Sequence, residues 1–253
     1  MLLGERPRLH LSPLSLFLSR RYLIAANWKM HPIPDGALAD DSPYKPQKDI
    51  DILVFPTFLS LETCLEAGIA TGAQCGHPEP HGAYTGDVSM AMIRKAGCTH
   101  VLCGHSERRL FHGENDGNVA AQATAALEAG LHPIICIGES AEERDAGEAE
   151  LVVTRQLAPL PLGKDITIAY EPVWAIGTGN TATPELAQEM HALIRSLLPT
   201  GRRETIRILY GGSMKPENAR ELLMKPDIDG GLVGGASLKP DAFRGIIAAA
   251  RSL

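Results

Sequence analysis

Short runs of β-branched and aliphatic residues recur along the chain at positions 22–27, 51–55, 69–73, 99–103, 133–137, 165–170, 205–210 and 228–233. They are near-continuous apolar stretches rather than strict alternations, the pattern of strands buried on both faces. Helical patterns fill most of the gaps, most clearly at 89–96, 118–129, 141–156, 184–198, 216–224 and 241–251. Thr183 followed by Pro184 reads as an N-cap with proline at the first helical position, and Ser140 with Glu143 reads as a capping box. Strands alternating with helices imply a parallel sheet, and eight such units imply closure into a single-domain α/β fold, the (β/α)8 barrel.

One gap breaks the pattern. The segment after the first strand, MHPIPDGALADDSPYKPQKD, contains Pro32, Pro34, Pro43 and Pro46 and no apolar stripe at helical spacing. The first barrel helix is therefore expected to be missing or irregular. A missing helix would bare apolar surface on two adjacent strands. The start of the chain offers a cover: Ser12 and Pro13 form a helix-start signal, Leu14, Phe17 and Leu18 share one face, and Arg20 and Arg21 suit a helix C-terminus. The rival readings are a tail that covers nothing and a segment that is never translated; residues 1–20 are expected as an N-terminal extension, and 21–253 as the barrel domain.

Composition narrows the function classes. Of the 253 residues, 44% are hydrophobic and 21% charged, a balance that excludes a mainly disordered or fibrous chain. No apolar run is long enough to span a membrane. The formal net charge of −6 argues against a general nucleic-acid or anionic-membrane binder, while leaving room for an anionic small ligand at a local site. The five cysteines, Cys64, Cys75, Cys98, Cys103 and Cys136, show neither C-x-x-C nor zinc spacing and read as reduced thiols of a cytoplasmic protein. The segment LSLFL is too short for a secretory core, and no small-residue cleavage site follows it.

In such a barrel, function sits at the carboxyl ends of the strands. There the sequence places Asn27 and Lys29 after strand one, His105 after strand four, Glu171 after strand six, Ser213 after strand seven, and Gly234 and Gly235 after strand eight. Singly, each has a commoner explanation: a solvated charge, a helix cap, a surface amine or a turn glycine. Together at one end of one barrel they make a chemical case. Backbone amides after strands seven and eight suit a phosphate group. A carboxylate, an imidazole and an ammonium beside it suit proton abstraction next to a carbonyl, with stabilisation of the resulting enediolate. The sequence shows no metal-ligand cluster, dinucleotide fingerprint or activated Ser or Cys nucleophile, so neither metal nor cofactor is expected.

The stretches AANWKM, GAYTGD, CGHSERR, AYEPVWAIGTG, LYGGS and DGGLVGGASL, in that order, resemble the triosephosphate isomerase family. The likeness runs from about Tyr22 to the C-terminus. It implies a TIM barrel that interconverts dihydroxyacetone phosphate and D-glyceraldehyde 3-phosphate without a cofactor. By the resemblance, Glu171 is the base and His105 the electrophile, kept neutral at a helix N-terminus, an effect for which this family is a standard illustration. Lys29 and Asn27 hold the substrate oxygens, with Glu107 beside the lysine. Pro172, Val173, Trp174, Ala175, Ile176, Gly177, Thr178 and Gly179 match a closing lid whose Gly177 amide binds phosphate. Tyr210 and Ala182 match the pair that holds the lid shut. Ser213, Gly234 and Gly235 match the phosphate site, and Thr85 the tip of a loop that enters a partner subunit, which implies a homodimer.

Four features depart from the family pattern: His31 and Cys75 stand where asparagine is usual, Asn180 replaces a usual lysine after the lid, and the proline-rich segment stands where a helix is usual. Two other readings compete. A catalytically silent barrel would have lost its base or lid, and a Schiff-base aldolase would need a lysine where Glu171 stands.

Overall fold

The computed structural model describes residues 20–175 and 182–253. The expected helical cover (Leu14, Phe17, Leu18), the lid residues Ile176, Gly177, Thr178 and Gly179, and Asn180 lie outside the described residues. Eight parallel strands form one sheet: β1 (Leu23–Asn27), β2 (Asp51–Phe55), β3 (Gly72–Ala73), β4 (His100–Cys103), β5 (His132–Ile137), β6 (Thr167–Tyr170), β7 (Arg207–Tyr210) and β8 (Gly230–Val233), in the order β2-β1-β8-β7-β6-β5-β4-β3. A parallel bridge between Val54 and Thr71, with the Val54 amide donating to the Ala70 carbonyl at 2.9 Å, brings β2 against β3 and closes the barrel. The interior is filled by Leu23, Ala25, Leu53, Phe55, Leu102, Ile134, Cys136, Ala169, Leu209 and Leu232. The alternate residues, such as Ile24, Ala26, Ile52 and Val54, are buried on the outer face. Burial on both faces is why these strands read as continuous apolar runs.

The helices are α1 (Leu61–Glu66), α2 (Met90–Lys95), α3 (Ser106–His112), α4 (Asp116–Glu128), α5 (Ala141–Asp145), α6 (Ala149–Leu157), α7 (Pro184–Leu197), α8 (Pro216–Leu223) and α9 (Pro240–Arg251). The Thr183 side chain accepts from the Leu186 amide at 3.2 Å, and Ser140 and Glu143 form the reciprocal capping box. The helix expected over 141–156 is two helices. Gly147, at φ 75°, takes the left-handed conformation that ends α5, and α6 restarts after it. The strand expected over 69–73 shortens to two residues. Helix α1, which the sequence reading passed over, buries only Leu61 and Cys64, too short a stripe to stand out.

Between β1 and β2 no helix forms, as the prolines dictate. The expectation that apolar surface is left bare there is corrected. Ala37, Tyr44 and Ile50, all buried, share one cluster with Ile24, Ala26, Ile52 and Val54 of the strands. Tyr44 stacks on Phe243 of α9 at 4.9 Å and meets Trp28 edge-on at 5.2 Å. The irregular segment thus covers the strands with its own side chains. Arg20, the last residue of the expected extension, bonds to Asp229 at 2.6 Å, to Glu204 at 2.9 Å and to the Pro226 carbonyl at 3.0 Å.

Three imidazoles are built into the fold. His100 and His132 are register partners on β4 and β5 with ring centroids 5.0 Å apart, and His191 of α7 is wholly buried. Burial pushes His100 down from 6.5 to about 3 and His191 to about 4, and lowers His132. Below pH 6.5 the unfolded chain therefore binds protons that the native state refuses, and stability falls as pH drops. Each such group should cost about 1.4 kcal/mol per pH unit below that point, until its folded value is reached. Thermal unfolding between pH 7 and 5 should show the decline, and His191→Asn should make it shallower; a midpoint constant over that range would contradict it.

Candidate active site

After Asn27 the chain turns sharply. Lys29, at φ 50°, is the only non-glycine residue with positive φ among the described residues. That conformation is sterically costly for a residue with a Cβ and is held from two sides. The Asn27 side chain accepts from the Lys29 amide at 3.0 Å, and Gln74 Nε2 donates to the Lys29 carbonyl at 2.7 Å and to the Phe55 carbonyl at 2.9 Å. The Lys29 ammonium pairs with Glu107 Oε1 at 2.5 Å.

At the end of β4, His105 caps α3. Its Nδ1 accepts from the Glu107 amide at 3.2 Å, which leaves Nε2 to carry a ring proton. That nitrogen lies 3.0 Å from Glu171 Oε1. Glu171, just past β6 and only 2% exposed, accepts from the Ser106 amide at 2.8 Å in the first turn of α3, where backbone donors favour a carboxylate. The buried Cys136 thiol lies against it, and burial with that negative charge holds the thiol well above its ordinary range. A Cβ on Gly138 would overlap the Glu171 carbonyl, so the strand end can approach this closely only at glycine.

Beyond β7 and β8, Ser213, Gly234 and Gly235 line one cavity of about 600 Å³ together with Asn27, Lys29 and His105. Gly234 leads into a 3₁₀ turn over Gly235–Leu238. Glu171 and Glu107 are not part of that lining. Both stand one contact behind it, Glu171 against His105 and Glu107 against Lys29.

Pro172, Val173, Trp174 and Ala175 follow Glu171, the last three as a 3₁₀ turn. They reveal a residue that the sequence reading missed. Glu139, wholly buried, accepts from Tyr170 Oη at 3.0 Å, Trp174 Nε1 at 2.9 Å and Arg144 at 2.8 Å. Its one sequence signal is an acid two residues past the end of β5, in a stretch read only for its Ser140 cap. Tyr210 and Ala182 are brought face to face but are not bonded: the Ala182 amide acts on the buried phenol oxygen, which has no full hydrogen bond among the described residues. Thr85 is exposed, on a loop in which the His77 and Tyr84 rings meet at a tilt, with centroids 4.1 Å apart. Among the described residues no group of three His, Cys, Asp or Glu side chains is placed to hold a metal ion.

Residues 22–250 match the family described as triosephosphate isomerase. The chain belongs to the triosephosphate isomerase family. It is 49% identical to the triosephosphate isomerase of Alkalilimnicola ehrlichii over 252 residues, covering 92% of this chain and 99% of the relative. It is 47% identical to that of Herminiimonas arsenicoxydans, covering 91% of this chain and 100% of the relative. With that of Halorhodospira halophila it shares 48% identity, over 91% of this chain and 98% of the relative.

Proposed function

We propose that the chain interconverts dihydroxyacetone phosphate and D-glyceraldehyde 3-phosphate by proton transfer through an enediolate. The observation that carries this reading is the cavity in which Asn27, Lys29 and His105 face Ser213, Gly234 and Gly235, with the Glu171 carboxylate behind it, 3.0 Å from His105 Nε2. In this reading the amides of Gly234 and Gly235 and the Ser213 residue hold the phosphate, joined by the Gly177 amide when the segment 172–179 closes as a lid. Glu171 leaves the Ser106 amide, takes a proton from substrate C1 and returns it to C2. His105 Nε2–H donates to the carbonyl oxygen and moves a proton between the two oxygens. Lys29 and Asn27 stabilise the oxygen on which negative charge develops, and Glu107 orients the ammonium. Glu139, gripping Trp174, anchors the fixed end of the lid. A coupled assay with glyceraldehyde 3-phosphate tests the reading: turnover is expected, and its absence in folded protein would overturn it.

We also infer a homodimer. Of the twelve large apolar side chains left exposed among the described residues, eight follow β1 to β4, among them Met30, Leu59, Tyr84, Met92, Leu110 and Phe111. These eight lie in loops or helices after neighbouring strands of the barrel, so they fall on one side of it. Exposed apolar surface gathered in this way marks a protein contact, and Thr85 sits at the tip of a loop among them. Sedimentation equilibrium should give twice the 27.1 kDa chain mass, and Thr85→Arg should shift it toward monomer with loss of activity. A fully active 27.1 kDa species would contradict the dimer. The net charge of −6 and five unpaired thiols fit a cytoplasmic enzyme that binds neither nucleic acid nor membrane. Among the described residues no helix is long and apolar enough to cross a membrane.

A further inference from the structure

The irregular segment between β1 and β2 does more than cover the barrel. Tyr44, at its centre, is wholly buried, and its hydroxyl donates to the Ser237 carbonyl at 2.6 Å. Ser237 lies in the 3₁₀ turn Gly235–Leu238, and its amide and its hydroxyl both bond to the Gly234 carbonyl at 2.7 Å. Ser237 is therefore a clamp on Gly234, and Tyr44 grips that clamp from the side away from the cavity. The last carbonyls of a short helical turn have no partner within it, and a buried carbonyl left unpaired is costly; the phenol removes that cost. Burial pushes the Tyr44 hydroxyl above the ordinary phenol range, so it remains a donor.

Tyr44 itself has little freedom. Phe243 stacks on one face of its ring, and Trp28 meets it edge-on. The Tyr44 amide bonds to Ser42 Oγ at 3.3 Å, and Arg244 of α9 donates to the Asp41 carbonyl at 3.1 Å, tying the segment to the helix that follows the turn. Trp28 stands between Asn27 and Lys29 in the chain. One aromatic wedge therefore backs both the turn that carries Gly235 and the strand end that carries Asn27 and Lys29.

We propose that Tyr44 is a positioning residue for the phosphate half of the site, holding the Gly234–Leu238 turn so that its amides face the cavity. This rests on the reading of Gly234 and Gly235 as phosphate-binding. The fold thus uses the segment that lacks a helix to brace the turn on which substrate affinity depends.

The test is Tyr44→Phe, which keeps the rings and removes only the hydroxyl. KM for glyceraldehyde 3-phosphate and the inhibition constant of inorganic phosphate should rise together by about three- to tenfold, the worth of one neutral hydrogen bond. Turnover of phosphate-free D-glyceraldehyde should be unchanged, and kcat should change less than KM. Phe243→Leu, which loosens the stack but keeps the hydroxyl, should lower the thermal midpoint and leave KM in place. Unchanged KM and phosphate inhibition in Tyr44→Phe would overturn the proposal. So would equal losses with glyceraldehyde and its phosphate, or failure of the variant to fold, since each makes the tyrosine a purely structural residue. Wild-type protein that is folded yet neither isomerises the triose phosphate nor binds inorganic phosphate would overturn the functional reading of the site, and this proposal with it.

Discussion

Exchanging Glu171 for glutamine should lower kcat by at least about 10²- to 10⁴-fold, the usual contribution of a positioned general base. The substitution keeps the length and shape of the side chain and removes its capacity to take a proton from carbon. Its cost in stability follows from the partners. Beside the Cys136 thiol, two donors face the Glu171 carboxylate, the Ser106 amide and His105 Nε2–H. A glutamine has one acceptor oxygen and turns its NH₂ toward the other donor, at a site only 2% exposed. That mismatch should cost about 1–3 kcal/mol, which lowers the thermal midpoint without unfolding the barrel. Circular dichroism on the sample used for the coupled assay separates the two effects. A folded variant within about threefold of wild type would be far outside what loss of a base allows and would remove Glu171 from its role.

Lys29→Met should lower kcat/KM by about 10²- to 10³-fold, the scale seen when one group that stabilises a developing oxyanion is lost. Methionine keeps the length and apolar stem of the lysine. It is unbranched at Cβ, so the strain at φ 50° is the same in both proteins. The lost ion pair adds little to this balance: the Glu107 side chain is 42% exposed, and ion pairs reached by water contribute about 0–1 kcal/mol. Activity should therefore collapse while the thermal midpoint barely moves. Equal losses in stability and activity would instead make Lys29 a structural residue.

The barrel was legible because each strand is apolar on both faces and each gap is long enough for a helix. Periodicity failed where an element was too short to show one. β3 has two residues in the sheet, and α1 buries two side chains. At Gly147 a left-handed residue split a helix whose apolar spacing continued across the break. The site residues stood out as polar groups at strand ends. Those that work through another residue did not. Gln74 grips a carbonyl, Glu139 grips an indole, and Tyr44 grips a serine carbonyl. Each partner lies far away in sequence, and nothing local marks the pairing. Tyr44 is the sharpest instance. Its segment carries no helical stripe, so pattern analysis left the neighbouring strands bare, whereas a single tyrosine in an irregular chain fills the gap.

We propose that isomerisation proceeds by proton transfer to and from Glu171. The most direct measurement is conversion of dihydroxyacetone phosphate in D₂O, with the glyceraldehyde 3-phosphate trapped as it forms and examined by NMR. A proton held on a carboxylate exchanges with solvent, so the product should carry deuterium at C2, and Glu171→Gln should slow its formation by about 10²- to 10⁴-fold. Product formed by Glu171→Gln at the wild-type rate, with no deuterium at C2, would mean that hydrogen passes between the carbons without the carboxylate, and would rule out transfer through Glu171.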